Sequence, residues 1–311
     1  MRVVIAGGSG FLGRSLSRAL AAAGHEVRVL SRSAPRVGPA EPWPGRPGVS
    51  TAWWSGTAQL EGWTHLVDGA DAVVNLAGES IAEGRWTDRR KRQLEDSRIA
   101  TTRAIGQAMG SAQAGPRVLV NASAVGYYGS RSDEVLTESS PPGDDFLSRL
   151  AVRWEDEARR AVTSSTRLVL LRTGIVLARD GGALAKMITP FRLFAGGPIG
   201  SGHQYMSWIH LADWTALVLW LLDGSLEGPV NATAPTPVPN AEFARELGAA
   251  LRRPSFMPTP AVALRLALGE MAEALLLGGQ RAVPARAVEA GFQFRYPALA
   301  AALADLLRRS G

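Results

Sequence analysis

A glycine-rich turn near the N-terminus places the strongest constraint on how this chain can fold. The segment Gly7-Gly8-Ser9-Gly10-Phe11-Leu12-Gly13 follows a short buried-strand pattern, Val3 to Ala6, and opens a helical pattern that ends at Gly24. In a strand–turn–helix unit, such glycines permit the tight turn, close approach of the backbone to a pyrophosphate, and close packing of helix on strand. The helix N-terminus adds N–H donors and the positive end of its dipole. The motif therefore predicts a dinucleotide-binding turn formed by Gly7, Ser9, Gly10, Phe11, Leu12 and Gly13, with a plain glycine-rich turn as the alternative.

The rest of the first half repeats the strand–helix alternation. This pattern is typical of βαβ units, which build a doubly wound parallel sheet, the Rossmann type of α/β fold. A Pro/Gly-rich stretch, Ala34 to Gly48, predicts a loop, and a long polar helix is expected from Asp88 to Met109. Further strands are predicted at Val27 to Leu30, Ala72 to Leu76, Val118 to Asn121 and Leu168 to Leu171.

The second half differs in character and predicts a smaller, mostly helical C-terminal substrate region. Glycines at Gly181–Gly182 and Gly196–Gly202 predict loops that line a crevice, and Ala234 to Asn240 reads as a proline-rich crossover. We therefore expect a dinucleotide-binding domain over 1–173, with 206–234 returning to it. The substrate-binding region is expected over 174–205 and 235–311.

The end of the second predicted strand bears on the choice of cofactor. NAD sites usually place an acidic residue there for the ribose 2′-hydroxyl, whereas an arginine accommodates a 2′-phosphate. Here the strand ends in Leu30-Ser31-Arg32-Ser33, with no acid. Ser31 can donate to a phosphate and Arg32 can pair with it. The sequence therefore favours NADP(H), the alternative being a solvated loop arginine at position 32.

Composition excludes several other classes of function. There are no cysteines among the 311 residues, which excludes disulfides and thiolate catalysis and suits a cytoplasmic protein. The net charge of +6 comes from scattered arginines with only two lysines, so nucleic acid is not an expected partner. The most apolar later stretches, Ala216 to Leu222 and Leu264 to Leu277, are too short or too interrupted to span a bilayer, so a membrane is not expected either. The four histidines are dispersed, and no metal site is predicted. A small-molecule substrate is the expected partner.

Several motifs along the chain resemble one superfamily. The glycine turn, Asp71-Ala-Val-Val-Asn-Leu-Ala-Gly78 and Trp208-Ile-His-Leu-Ala-Asp213 are similar to motifs of the short-chain dehydrogenase/reductases, in their extended and atypical branches. More specific segments resemble epimerase-family proteins of the NAD-dependent epimerase/dehydratase kind that carry an extra C-terminal domain of unknown function. Those segments are Asn121-Ala-Ser-Ala-Val-Gly-Tyr-Tyr-Gly129, Trp154-Glu155, Gly196-Gly-Pro-Ile-Gly-Ser-Gly-His-Gln204, and, in the extra domain, Arg253-Pro, Gly269-Glu-Met, Pro284 and Ala290-Gly-Phe-Gln-Phe.

The resemblance implies further cofactor contacts. Leu76 and Ala77 would lie along the cofactor where the fourth strand of the superfamily fold ends, and Val176 would lie near the nicotinamide. Gln93 and Arg98, on the long helix, would face the cofactor. A surface arginine on a polar helix is the alternative for Arg98.

The superfamily's usual catalytic pair is missing. Most members carry Tyr-x-x-x-Lys, in which the lysine lowers the tyrosine pKa so that the phenol serves as acid or base. No tyrosine of this chain has a lysine four residues later. Aligning Glu155 with the superfamily's usual glutamate places Leu147 and Ala151 at the two catalytic positions. Ordinary dehydrogenase chemistry therefore does not follow from the resemblance.

Four other residues are candidates for the missing chemistry. Ser123 falls where the superfamily keeps a hydroxyl that binds the substrate oxygen, with capping of a strand end as the alternative. Tyr127 and Tyr128 could present a phenol, although a packed ring is as common. His203 lies in the glycine loop and has a side chain suited to proton transfer, or to binding a substrate or phosphate. His210 and Asp213 more plausibly position a helix start.

Two functions from different classes follow. The first is an NADP(H)-dependent oxidoreductase or epimerase acting on a small polar substrate, with sugars and sugar nucleotides as candidates. The second is a catalytically silent NADP(H)-binding sensor or partner protein, motivated by the missing Tyr/Lys pair. Related folds often pair through their two long helices, so a homodimer is one expected assembly.

Overall fold

Strands between residues 2 and 232 form one eight-stranded sheet. In this computed structural model, the structure describes residues 1–32, 41–42, 48–56 and 62–308. The strands, in chain order, are β1 Arg2–Ala6, β2 Glu26–Ser31, β3 Glu41–Pro42, β4 Val49–Trp53, β5 Ala72–Asn75, β6 Val118–Ala124, β7 Val135–Leu136, β8 Arg167–Thr173, β9 Ile175–Ala178, β10 Tyr205–Met206, β11 Trp208–His210, β12 Gly228–Ala232, β13 Val238–Pro239 and β14 Arg281–Ala282.

Helices cover both faces of this sheet and build most of the C-terminal region. They are α1 Phe11–Ala22, α2 Asp88–Ser111, α3 Phe146–Ala161, α4 Gly182–Arg192, α5 Leu211–Asp223, α6 Asn240–Leu251, α7 Ala261–Leu268, α8 Glu270–Ala272, α9 Ala285–Glu289 and α10 Leu299–Leu307. A single π-helical turn, Glu273–Leu277, follows α8. In the described part of the chain, no helix is both long enough and apolar enough to cross a bilayer.

The strand order is β12-β8-β6-β5-β1-β2-β4-β3, and every neighbouring pair except β3–β4 is parallel. Parallel sheets require cover on both faces, so their strands are buried apolar runs. In β1 the side chains alternate between two cores, because successive residues of a strand point to opposite faces. Val3 and Ile5 belong to the core under α1 and α5, whereas Val4 and Ala6 belong to the core under α2. The predicted doubly wound fold with a helical C-terminal region is confirmed.

Some predicted boundaries differ from the structure. The loop prediction for Ala34 to Gly48 is wrong at Glu41–Pro42, which form an antiparallel edge strand beside β4. The sequence pattern did not reveal β4 itself. The remaining residues of that stretch, apart from Gly48, lie outside the described residues. β4 is partly exposed along most of its length, so its apolar pattern is weak. β6 continues three residues beyond Asn121, to Ala124, beside β8.

The C-terminal region packs against the carboxyl ends of β6 and β8. β14 pairs with β7, and the segment around Gly279 lies so close to Tyr205 that an added Cβ would stand 2.3 Å from the carbonyl oxygen of Tyr205. α10 packs on α6 around Leu247, Leu299 and Leu303. These contacts bring the segment 274–280 over the edge of the sheet where parallel strands end, the usual ligand edge of such folds.

Candidate functional site

A cleft of about 330 Å³ lies at the carboxyl ends of β1, β2 and β5. We call it the cofactor cleft. Of the residues predicted to bind a dinucleotide, it is lined by Gly7, Ser9, Gly10, Ser31, Arg32, Leu76 and Ala77. The structure therefore brings together residues from three separate predicted motifs, because parallel strands present their carboxyl ends at one edge.

The glycine turn has the geometry that a phosphate-binding turn requires. Gly7 has φ +76°, and a Cβ there would lie 2.8 Å from the Leu76 carbonyl carbon. Gly13 packs so tightly that a Cβ would lie 2.4 Å from the Gly8 Cα. α1 has neither a side-chain cap on its first amides nor an acidic residue in its first turn. Uncapped amides with no competing carboxylate form a ready site for an anion.

Phe11 and Leu12 begin α1 and contribute through the backbone and through packing. Both are partly buried against the core under α1. The Phe11 ring lies against Gly181, where an added Cβ would come within 2.6 Å of it. This contact joins the phosphate turn to the start of α4.

The end of β2 carries the features predicted for a 2′-phosphate. Ser31 is buried, whereas the Arg32 side chain is 73% exposed and lies 3.3 Å from Glu79 Oε1. Glu79 also contacts Arg90 Nη1 at 3.4 Å. Arg32 is therefore an exposed cation at the mouth of the cleft, in an ion pair with Glu79 that contributes little to stability.

Arg98 lies next to Gly78, one of the residues that line the cofactor cleft. Its Nη1 donates to the Leu94 carbonyl at 2.8 Å and its Nη2 to the Glu79 carbonyl at 2.9 Å. An added Cβ on Gly78 would lie 3.3 Å from its Cζ. Burial lowers the pKa of the guanidinium to about 10, so it remains a cation at neutral pH. Within the described ranges, no carboxylate forms an ion pair with it.

A second cavity, of about 210 Å³, adjoins the first beyond Arg98. We call it the inner cavity. Its floor is the end of β6 and β8, at Ala124 and Thr173, and the segment 274–280 forms its opposite wall. Leu147 and Ala151, the residues aligned with the missing Tyr/Lys pair, both line it. The inner cavity thus occupies the place where that pair would act, and apolar side chains replace it.

Ser123 and Tyr128 belong to a buried polar network behind this cavity. Arg172 donates from Nε and Nη2 to the two carboxylate oxygens of Glu155, at 2.8 and 2.9 Å. Ser123 Oγ donates to Glu155 Oε1 at 2.8 Å. Tyr128 accepts from Arg172 Nη1 at 3.0 Å and donates to Asn231 Oδ1 at 2.7 Å. Every hydroxyl proton in this set already has a protein acceptor.

The network also sets the chemistry of its members. Burial raises the pKa of Tyr128 to about 12, so its phenol stays protonated. Tyr127 stacks under the same guanidinium, with Arg172 Cζ 3.4 Å from its ring centroid. Neither tyrosine lines the two cavities described here. Sequence reasoning missed Arg172, although its motif, Leu171-Arg-Thr, was visible.

Three other predicted residues lie away from these cavities. His203 is exposed, and its backbone amide contacts Ser201 Oγ at 3.3 Å. Gln93 is exposed on α2. Val176 is buried in β9, next to Ile175, which does line the inner cavity. Their functional roles remain predictions.

His210 and Asp213 act at the start of α5. His210 is the N-cap, and its Nδ1 accepts from the Ala212 amide at 3.0 Å. Asp213 accepts from the amides of Arg295 and Tyr296, both at 2.9 Å. Burial lowers the pKa of His210. Among the residues that the structure describes, no three metal-ligating side chains cluster.

Comparison with known proteins gives matches along the whole chain. Residues 3–232 match the NAD dependent epimerase/dehydratase family, and residues 259–306 match a domain of unknown function, DUF1731. The chain is 43% identical over 310 residues to epimerase family protein MT2273 of Mycobacterium tuberculosis, covering 99% of this chain and 98% of that protein. The predicted resemblance, including the extra C-terminal domain, is confirmed.

Two solved structures are similar over nearly all of this chain. Human epimerase family protein SDR39U1 (isoform 2), crystallised with NADPH, gives a TM-score of 0.86 at 38% identity, covering 99% of both chains. A nucleoside-diphosphate sugar epimerase from Corynebacterium glutamicum gives 0.78 at 33% identity, covering 99% of this chain and 58% of that one.

Proposed function

Because this chain belongs to the NAD dependent epimerase/dehydratase family, we propose that it is an NADP(H)-dependent oxidoreductase. Its reaction would interconvert a carbonyl and an alcohol on a small molecule held in the inner cavity. Epimerisation would follow in the same site if one substrate were oxidised and then reduced from its other face. The cofactor would occupy the cofactor cleft and the substrate the inner cavity, and the Arg98 cation would lie between them.

The observation that carries this proposal is the position of Arg98. It lies beneath Gly78 of the cofactor cleft and also lines the inner cavity. Three of its five guanidinium N–H groups already have acceptors, which are the Leu94 and Glu79 carbonyls and, at 3.5 Å, Ser97 Oγ. Two N–H groups therefore remain for a ligand. A partly buried cation that forms no ion pair with a carboxylate among the described residues is well placed to stabilise an oxyanion.

The cofactor cleft fits an NADP(H) molecule. The first amides of α1 and the Gly7 turn would hold the pyrophosphate, and Ser31 and Arg32 would hold the 2′-phosphate. The human relative crystallised with NADPH supports this choice. When bound, the reduced nicotinamide supplies a hydride to a carbonyl carbon, and solvent supplies the balancing proton to the oxygen.

Side chains of the protein would hold the carbonyl oxygen, stabilise its charge and exclude water. Arg98 would hold the carbonyl oxygen and stabilise the negative charge that develops on it. Leu147, Ala151 and the wall from the C-terminal region would exclude water from the reacting carbon. We assign residues 174–205 and 235–311 to substrate binding on this basis, since Ile199, Gln204 and Ala274 line the same cavity.

A second candidate function is a silent NADP(H) sensor. It is favoured by one observation, the replacement of the Tyr/Lys pair by Leu147 and Ala151 inside the cavity. A sensor would bind the cofactor and change its assembly or partner without turnover.

The test is a turnover screen with NADPH and a panel of aldehydes, ketones and keto-sugars, following loss of the reduced-nicotinamide absorbance. We expect consumption with at least one carbonyl class. Arg98→Met should lower the single-turnover rate on the order of 10²–10³-fold, as expected for loss of an oxyanion-stabilising donor. Arg92→Met, an exposed position on the same helix, is the matched control and should leave the rate unchanged.

The outcomes separate the two functions. NADPH binding without consumption across the panel, accompanied by a cofactor-dependent change in oligomeric state, would favour the sensor. Consumption that is unaffected by Arg98→Met would retain the oxidoreductase but remove Arg98 from its chemistry.

A further inference from the structure

The inner cavity has a largely apolar wall. Arg98 is the one charged residue among its described lining residues. Most of the remainder are aliphatic or aromatic side chains or glycine, including Leu150, Trp154, Met187 and Leu275. A cavity of this kind favours the transfer of an apolar ligand from water.

The polar side chains that do reach this cavity are mostly satisfied by the protein. Ser207 Oγ donates to the Gln280 carbonyl at 2.7 Å and accepts from the Ala282 amide at 2.9 Å. Asn240 Oδ1 accepts from the Ile199 amide at 2.7 Å. Thr173 Oγ1 accepts from the Trp214 indole at 3.2 Å. None of these groups requires a ligand to complete its hydrogen bonds.

Gln204 differs in that one of its buried atoms has no partner, whereas Tyr205 and Gln280, which also line the cavity, are only partly buried. Its Nε2 donates to the carbonyls of Ile199 at 3.0 Å and Leu276 at 2.8 Å. These two acceptors fix the orientation of the amide, because a flipped amide would set its oxygen against both carbonyl oxygens. Its Oε1 is consequently buried and has no partner among the described residues. A buried acceptor without a donor is costly, so it points to a donor supplied from outside the chain.

We propose that the substrate is a predominantly apolar carbonyl or alcohol carrying a second, hydrogen-bond-donating group, a hydroxyl or an amide N–H, which donates to Gln204 Oε1. This inference rests on the proposed oxidoreductase function, since it places the reacting oxygen at Arg98. Gln204 is then the residue that selects the substrate, and the wall 274–280 sets its apolar shape.

The same geometry disfavours a sugar nucleotide in the inner cavity. Its pyrophosphate would need several donors and its sugar hydroxyls several partners. The described lining offers one cation and one unpaired buried acceptor. Burying polar groups that find no partner is unfavourable.

The test measures ligand binding to the NADPH-loaded protein by calorimetry. The probes are para-hydroxyacetophenone, para-methoxyacetophenone, an alkyl hydroxyketone with its O-methyl ether, and UDP-glucose. We expect each hydroxyl compound to bind at least about 10-fold more tightly than its ether, as for a donor that completes a buried hydrogen bond. That preference should vanish in Gln204→Met. Gln293→Met, at an exposed glutamine, should retain it.

Gln204→Met also removes two donors that hold the loop, so its cooperative melting is checked first. Should it fail to fold, the comparison of hydroxyl and ether compounds on the wild type still decides the question. Equal binding of both members of each pair, or tighter binding of UDP-glucose than of any ketone, would overturn the proposal. A hydroxyl preference without NADPH consumption would keep this substrate class and refute the oxidoreductase. NADPH consumption with keto-sugars alone would keep the oxidoreductase and refute this substrate class.

Discussion

Replacing Arg32 by alanine is the sharpest test of the cofactor's identity. Arg32 lines the cofactor cleft at the end of β2, and its side chain is 73% exposed. Among the described residues, its ion-pair partner is Glu79, 3.3 Å away. On binding NADPH, the guanidinium would leave that carboxylate and form charge-assisted hydrogen bonds with the 2′-phosphate.

The magnitude follows from the difference between these two states. Hydrogen bonds to charged groups contribute about 1.5–3 kcal/mol, whereas an exposed ion pair such as Arg32–Glu79 contributes about 0–1 kcal/mol. The net loss in Arg32→Ala is then roughly 0.5–3 kcal/mol, which corresponds to about 2- to 160-fold weaker NADPH binding. NADH lacks the 2′-phosphate, so its affinity should change less than about twofold.

The assay is a titration of both reduced cofactors into the wild type and the variant at fixed ionic strength. Glu79→Gln is the matched control, in which the change in NADPH affinity should have the opposite sign. It frees Arg32 and removes a negative charge near the phosphate, so NADPH should bind more tightly. If Arg32→Ala weakened the binding of NADPH and NADH equally, or left both affinities unchanged, the assignment of Arg32 to the 2′-phosphate would be refuted.

Three further predictions concern the framework of the site. Gly13→Ala should weaken NADPH binding and destabilise the fold by about 1–3 kcal/mol, because its Cβ would lie 2.4 Å from the neighbouring turn. Gly110→Ala, a helical glycine with open space around it, should not destabilise and is the thermal-melt control. Tyr128→Phe should lower stability by about 1–3 kcal/mol through its two lost hydrogen bonds, yet leave NADPH affinity within twofold, as titration and denaturant unfolding would show. A large loss of single-turnover rate with intact folding would instead indicate a catalytic phenol. Because burial lowers the pKa of His210, the unfolded state takes up a proton that the folded state does not, so stability should fall as pH drops below about 6.5. His210→Asn keeps an N-cap and should flatten that pH dependence; an unchanged slope would exclude His210 as its source.

The sequence allowed the fold and the cofactor cleft to be predicted because their signals are local. The glycine turn lies between an apolar strand and an amphipathic helix, and the end of β2 follows within twenty residues of it. The two strands at the β3 end of the sheet were harder to predict, since β4 is partly exposed and β3 contributes only two residues. An exposed strand lacks the continuous apolar run that marks the central strands.

The inner cavity could not be assembled from the sequence, because its residues come from distant segments. Arg98, Leu147, Gln204 and Leu276 meet only after the C-terminal region folds over the sheet edge. The pairing of Glu155 with Arg172 likewise joins a helix to a strand, and it places Ser123 in a buried network. The orphaned oxygen of Gln204 depends on two carbonyls that no sequence pattern identifies.

The most direct measurement of the central claim is a single turnover with NADPH deuterated at the transferable position and a hydroxyl-bearing ketone such as para-hydroxyacetophenone. The product alcohol would be analysed by mass spectrometry, with Arg98→Met in parallel. The account predicts an alcohol carrying one deuterium on its carbinol carbon, formed by the wild type and strongly reduced in the variant. Tight binding of both ligands with an unlabelled, unreacted ketone would contradict it.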